Sequence, residues 1–172
     1  MRLLAGLLAF LAFAMPVAAA SPIPRFDDPR ALLEAVYDGF LAMEDWDSYD
    51  PDAYFNEDEA FSTRLTELHR QADAIVMADG SEMGALDFSP FIYGQDSGGL
   101  TYDIGAPKIK GRRATTRVVV MLDGKTLHEI GFELVDEGGD IGWKVDDILM
   151  PDYDTASTWR LSEYFADPLA SF

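Results

Sequence analysis

Apolar residues fall along this chain in three rhythms. The first is a solid block: Leu3 to Met15 is an unbroken apolar run of thirteen residues, preceded by Met1-Arg2 and broken by Pro16. The second is helical. Leu32, Leu33, Val36, Tyr37, Phe40 and Leu41 recur at three- and four-residue steps, which predicts an amphipathic helix ending near Met43. Asp27-Asp28-Pro29 opens it, an acidic cap followed by proline at the first helical position. Phe61, Leu65, Leu68, Ala72, Ile75 and Val76 predict a second long helix, closed by Asp79-Gly80. Between the two, Glu44 to Glu59 is acid-rich and carries Pro51. It reads as a loop with one helical turn near Asp52–Phe55.

The third rhythm is alternation. Ala114, Thr116, Val118, Val120 and Leu122 share one face of a strand over Arg113–Leu122. Asp123-Gly124 is a hairpin signal, and Thr126 to Leu134 supplies the returning strand. After a turn at Asp136 to Asp140, Ile141 to Leu149 reads as a third strand, with Trp143, Val145, Asp147 and Leu149 on one face. A further strand is expected within Thr101–Lys110, weakened by Pro107, and a short amphipathic tail over Trp159–Phe165. Helices first and an antiparallel meander afterwards predict an α+β fold, with N-terminal helices packed on one face of a curved sheet.

The opening block changes the picture of where the chain works. A positive start, an apolar run and Val17-Ala18-Ala19-Ala20, with Ala18 and Ala20 as the small pair, form a secretory signal pattern with cleavage expected after Ala20. The rival is a retained anchor, since Leu3 to Ala20 is eighteen residues, the lower edge of a spanning helix. Cleavage implies a periplasmic or extracellular protein without a membrane anchor. Ser21 to Phe26 would be an extended lead, and residues 27–172 one domain. There is no cysteine, which excludes disulfides, thiol catalysis, cysteine metal sites and a lipidated N-terminal cysteine.

Thirteen basic residues against 31 acidic ones give a net charge of −18, or −19 over 152 residues once Arg2 leaves with the leader. Such a surface repels nucleic acid and suits a basic partner, a cationic peptide or solubility alone. The phosphate-loop, G-x-S-x-G and H-E-x-x-H patterns are missing, and nothing calls for a cofactor. Histidine occurs only as His69 and His128. His69 reads as a surface or boundary residue of the second helix. His128 shares a face with Ile130, Phe132 and Leu134, so adjacent strands could bring it to Asp147 as an acid–base pair; the alternative is a structural histidine on a structural aspartate. Asp146 and Asp147, as strand neighbours, should face opposite ways and share no proton unless a bulge intervenes. Asp87, Gln95 and Asp96 flank a turn with Pro90 and Gly94, and read either as a polar rim for a binding site or as turn braces. Asp45, Asp47, Asp50 and Asp52 lack the spacing of a calcium loop, which leaves weak divalent binding or a solvated loop. Arg112, Arg113 and Arg117 are expected on a strand edge.

Several of these segments resemble a known family. They are Leu86-Asp87-Phe88-Ser89-Pro90-Phe91 with Gly94-Gln95-Asp96, Gly142-Trp143-Lys144-Val145-Asp146-Asp147-Ile148, Trp159-Arg160-Leu161, Asp28-Pro29-Arg30-Ala31-Leu32 and Tyr54-Phe55. Together they resemble an exported bacterial family of unknown function, found as periplasmic proteins and lipoproteins, over most of residues 26–165. The resemblance implies the cystatin-like cone, the architecture also used by nuclear transport factor 2. Trp143 stands with Asp87, Gln95 and Asp96 as the candidate binding residues of the chain itself. It implies no activity. The expected function is a non-enzymatic binding module for a periplasmic protein, a peptide or a small molecule. The alternatives are an enzyme using His128 and Asp147 in the cone, and an inhibitor or immunity protein for a basic secreted enzyme.

Overall fold

The computed structural model describes residues 23–43, 47, 50, 53–54, 56–152, 155 and 157–170. Residues 1–20, read above as a signal segment, lie outside them, as do Asp45, Asp52 and Phe55. Helix α1 spans Pro29–Ala42, and Asp28 caps it by accepting from the Arg30 amide at 3.0 Å. A 3₁₀ turn, Glu57–Ala60, leads into α2, Thr63–Ala78, whose cap Ser62 accepts from Leu65 at 3.1 Å. Six strands follow: β1 Leu100–Ile104, β2 Lys108–Lys110, β3 Arg113–Leu122, β4 Lys125–Asp136, β5 Trp143–Pro151 and β6 Thr158–Arg160. A short helix α3, Leu161–Ala166, closes the described chain. The fold is α+β, helices first and then an open, curved antiparallel sheet, consistent with the cystatin-like or nuclear transport factor 2-like cone.

The sheet runs β1-β3-β4-β5-β6, with β2 beside the other end of β3. The single strand expected over residues 101–110 is therefore two. Gly105-Ala106-Pro107 interrupts it, and Thr116 Oγ1 donates to the Gly105 carbonyl across the break. The β3–β4 hairpin turns at Asp123 and Gly124, both at positive φ (52° and 72°), as a two-residue primed turn requires. Since β3 is interior to the sheet, Arg112, Arg113 and Arg117 do not decorate an edge. Arg113 reaches Asp146, Arg117 pairs with Glu129, and Arg112 donates to the Asp136 carbonyl.

One irregularity re-aims β5. Glu133 pairs with Asp147 and Leu134 with Val145, so Asp146 is the extra residue of a β-bulge. The bulge moves Asp147 off the face that Val145 occupies, and Ile148 and Met150 join the core. The strict alternation that grouped Trp143, Val145, Asp147 and Leu149 is thereby corrected.

Helices and sheet enclose one core. Leu32, Leu33, Val36 and Tyr37 from α1, and Leu65 and Ala72 from α2, meet Val118, Val120, Ile130, Phe132 and Ile148. At roughly 1.5–3 kcal/mol for each large apolar side chain fully buried, this packing dominates stability. The centre is filled by a loop residue: Phe91 is fully buried, stacked on Phe61 at 6.0 Å and tilted against Phe132 at 5.5 Å. Tyr37 holds it by donating to the Phe91 carbonyl at 2.6 Å. Leu41 and Ile75, expected in the apolar stripes, are instead 43% and 42% exposed.

Candidate functional site

The bulge decides the fate of the carboxylates on β5. Asp147 is 2% exposed and saturated. Its oxygens accept from Arg160 at 2.8 Å, from the Ser162 amide and hydroxyl at 3.1 and 2.7 Å, and from the Ile148 amide at 3.0 Å. Arg160 also bonds Glu133 at 2.6 Å. Asp146 is held separately by Ser62, Arg64 and Arg113, at 2.8, 3.0 and 3.2 Å. Burial works against its charged form, but the bonds from Arg64 and Ser62 and the Arg64 charge outweigh it, and its pKa lies below the ordinary value. The two carboxylates thus have different partners and share no proton.

His128 does not meet Asp147. It pairs with Val120 on β3, while Asp147 sits opposite Glu133. Five residues of strand separate the two positions, about 16 Å at ~3.3 Å per residue. His128 packs edge-on to Tyr93 at 5.6 Å, and burial pushes its imidazole below the ordinary pKa. The acid–base pair expected from the sequence is therefore not assembled, because the bulge turns Asp147 away and Arg160 claims it. His69 is half-buried and stacks on Phe165 at 4.7 Å. Trp143 is buried, its amide donating to the Phe26 carbonyl at 2.9 Å.

The loop between α2 and β1 borders open space with polar groups. Buried Phe91 and Ile92 root it in the core. Ser89 and Gly94 exchange backbone hydrogen bonds, and Tyr93 between them takes a positive φ of 51°. Gln95 Nε2 donates to the Asp87 carbonyl at 3.0 Å, and Asp96 accepts from the Gly98 amide at 2.8 Å. These residues brace turns, as one reading expected, and Gln95 and Asp96 also border a cleft of about 520 Å³. Its floor is Phe40, Met43 and Ile92, and Ser89, Ser97, Gly98 and Gly99 complete its rim. Asp87 contributes its carbonyl to the brace and does not line the cleft.

A second cleft, of about 210 Å³, shares Phe40 and Met43 and adds Val36, Gly39, Tyr54, Asn56 and Glu57. Glu57 is the residue that sequence reasoning missed. Its 3₁₀ turn is pinned to β5, because Lys144 Nζ donates to the Glu59 carbonyl at 2.8 Å and the Ser62 amide to Val145 at 2.7 Å. Ser89 Oγ donates to Glu57 at 2.5 Å. Burial lifts this carboxyl from an ordinary 4.5 to about 7, with nearby Asp58 adding to the rise and the Ser89 bond opposing it. In sequence Glu57 was one acid among many, and only the apolar Ala60-Phe61 that follows hinted at burial. Among the described residues, no group of three histidine or acidic side chains is placed to hold a metal, and no helix is long and apolar enough to cross a membrane.

No family model matches the chain, and no curated protein or solved structure matches it either.

Proposed function

We propose that the protein is a non-enzymatic binding module, exported through the leader at residues 1–20, that holds a basic peptide segment carrying apolar side chains. The observation that carries this reading is the cleft of about 520 Å³ over Phe40, Met43 and Ile92, rimmed by Gln95, Asp96 and Ser97 to Gly99. An apolar floor with a few polar groups around it is the usual composition of a ligand site. The net charge of −18 favours a cationic occupant through attraction at long range. The enzyme reading has lost its pair, since Asp147 is neutralised by Arg160 and His128 stands against Tyr93.

Titrating the ¹⁵N-labelled protein with a hexapeptide of alternating leucine and lysine tests it. Saturable amide shifts confined to Phe40, Ile92, Gln95, Gly98 and Gly99 are expected, and Ser97→Trp should abolish them by filling the cleft. No saturable shift, or shifts centred on Thr115 and Gly131 on the opposite sheet face, would overturn the reading.

A further inference from the structure

Two buried carboxylates, Asp146 and Asp147, set a comparison for half-buried Glu57, which lines a cleft. Asp146 and Asp147 each face a guanidinium within 3.2 Å. Glu57 does not. Its bonding partner is the Ser89 hydroxyl, and among the described residues no Lys, Arg or His nitrogen comes within 4.0 Å of it. Withdrawing a carboxylate from water without a cation is costly, so an ionised Glu57 would gain from a cation placed beside it.

Position adds the second observation. Glu57 lines the smaller cleft and Ser89 the larger, and Phe40 and Met43 line both. The Glu57–Ser89 bond therefore stands at the junction of the two spaces, with an apolar track leading away from it. We propose that Glu57 is the receptor for the positive end of the ligand, a primary ammonium at the tip of an aliphatic chain. The ammonium enters the small cleft of about 210 Å³ beside Asn56, and the chain lies over Phe40 and Met43 toward the loop rim. A lysine side chain is the peptide form of this group. An ammonium fits because it is a compact charge with three donors, matching one carboxylate and two neighbouring polar side chains. The inference rests on the cleft being a binding site.

Binding a fixed cation here requires Glu57 to be ionised. Burial lifts its pKa to about 7, so most of the protein carries a neutral Glu57 at pH 5.5. Around it stand Asp58 on the same turn, Tyr54 in the cleft wall and Tyr37 on α1, with Tyr102 of β1 behind Tyr37 at 4.4 Å. Tyr37 does not ionise near neutrality, since burial raises it well above its ordinary value and nearby Tyr102 adds to the rise.

The test uses n-hexylammonium, which keeps its charge throughout pH 5.5–8, with n-hexanol as the neutral counterpart and the leucine–lysine hexapeptide as the peptide source. Hexylammonium affinity should rise about 30-fold from pH 5.5 to 8, following the ionised fraction of Glu57, while hexanol affinity stays flat. Glu57→Gln should abolish the pH dependence and weaken hexylammonium at pH 8 at least tenfold, with an unchanged or raised melting temperature showing that it folds. The same pH profile with the hexapeptide identifies lysine as the ligand's cation, and a profile with hexylammonium alone identifies a free amine; both support the assignment. If the probes shift Ile92 and Gln95 to Gly99 but Glu57→Gln leaves affinity and pH profile unchanged, the ammonium receptor is overturned and the binding module stands. If no probe perturbs the cleft, the binding reading itself has failed.

Discussion

Charge neutralisation, residue by residue, separates structure from function here. The Arg160 guanidinium spans Glu133 and Asp147 at 2.6 and 2.8 Å and ties β6 to β4 and β5. Removing Asp147 leaves Arg160 its bond to Glu133 but strips the acceptor from the Ser162 amide and hydroxyl and the Ile148 amide. Asp147→Ala should therefore cost about 2–3 kcal/mol, since a buried donor left unsatisfied costs about 1–3, read as a lower urea midpoint. An unchanged midpoint would mean that water replaces the carboxylate. Glu57 behaves in the opposite sense. A carboxyl whose folded pKa is about 7 instead of 4.5 favours folding fully below pH 4.5, and that contribution is lost as pH climbs through 7. Glu57→Gln should leave stability at pH 4 nearly unchanged and raise it at pH 8, by on the order of 1–3 kcal/mol. Equal urea midpoints for the two proteins at pH 8 would contradict the burial of this group.

Elements differ in how openly the sequence announces them. Helix α1 could be read from Asp28-Pro29 and a four-residue apolar step, and α2 from its period and Asp79-Gly80, because caps and amphipathic faces are local. The β3–β4 hairpin was equally open, since Asp-Gly between alternating strands leaves few other turns. Its geometry predicts a cost. Gly124 sits at φ 72° with no atom within 4 Å of where a Cβ would stand, so Gly124→Ala should lose about 1 kcal/mol through backbone strain alone. A loss several times larger, measured by thermal unfolding, would point to a contact at the tip. The β5 bulge, by contrast, could be named only as an exception to alternation and not placed. Nothing in Val145-Asp146-Asp147-Ile148 marks the point where alternation slips by one, and that slip sent Asp147 away from His128. Strand β6 was hidden for another reason: three residues are too few to display a period.

For the molecule as a whole, pattern told architecture and left chemistry untold. The α+β order, with helices first and a meander after, follows from periodicity. The cleft beside the α2–β1 loop depends on Phe91 and Ile92, two residues in a Gly- and Ser-rich stretch that carries no regular period. Phe91→Ala should cost about 3–5 kcal/mol, the usual range for emptying an aromatic core site, and lower the melting temperature sharply. A mild loss would show that the loop folds onto a core already complete without it.

Because Phe91 plugs the core while Gln95 to Gly99 edge the cleft only a few residues later, the rim is anchored to the interior by the same loop. Occupancy by a ligand that settles over Phe40 and Ile92, which only the folded chain brings together, would be converted into heat resistance by mass action. Candidate compounds can be ranked by melting temperature, without a label or an assay of activity.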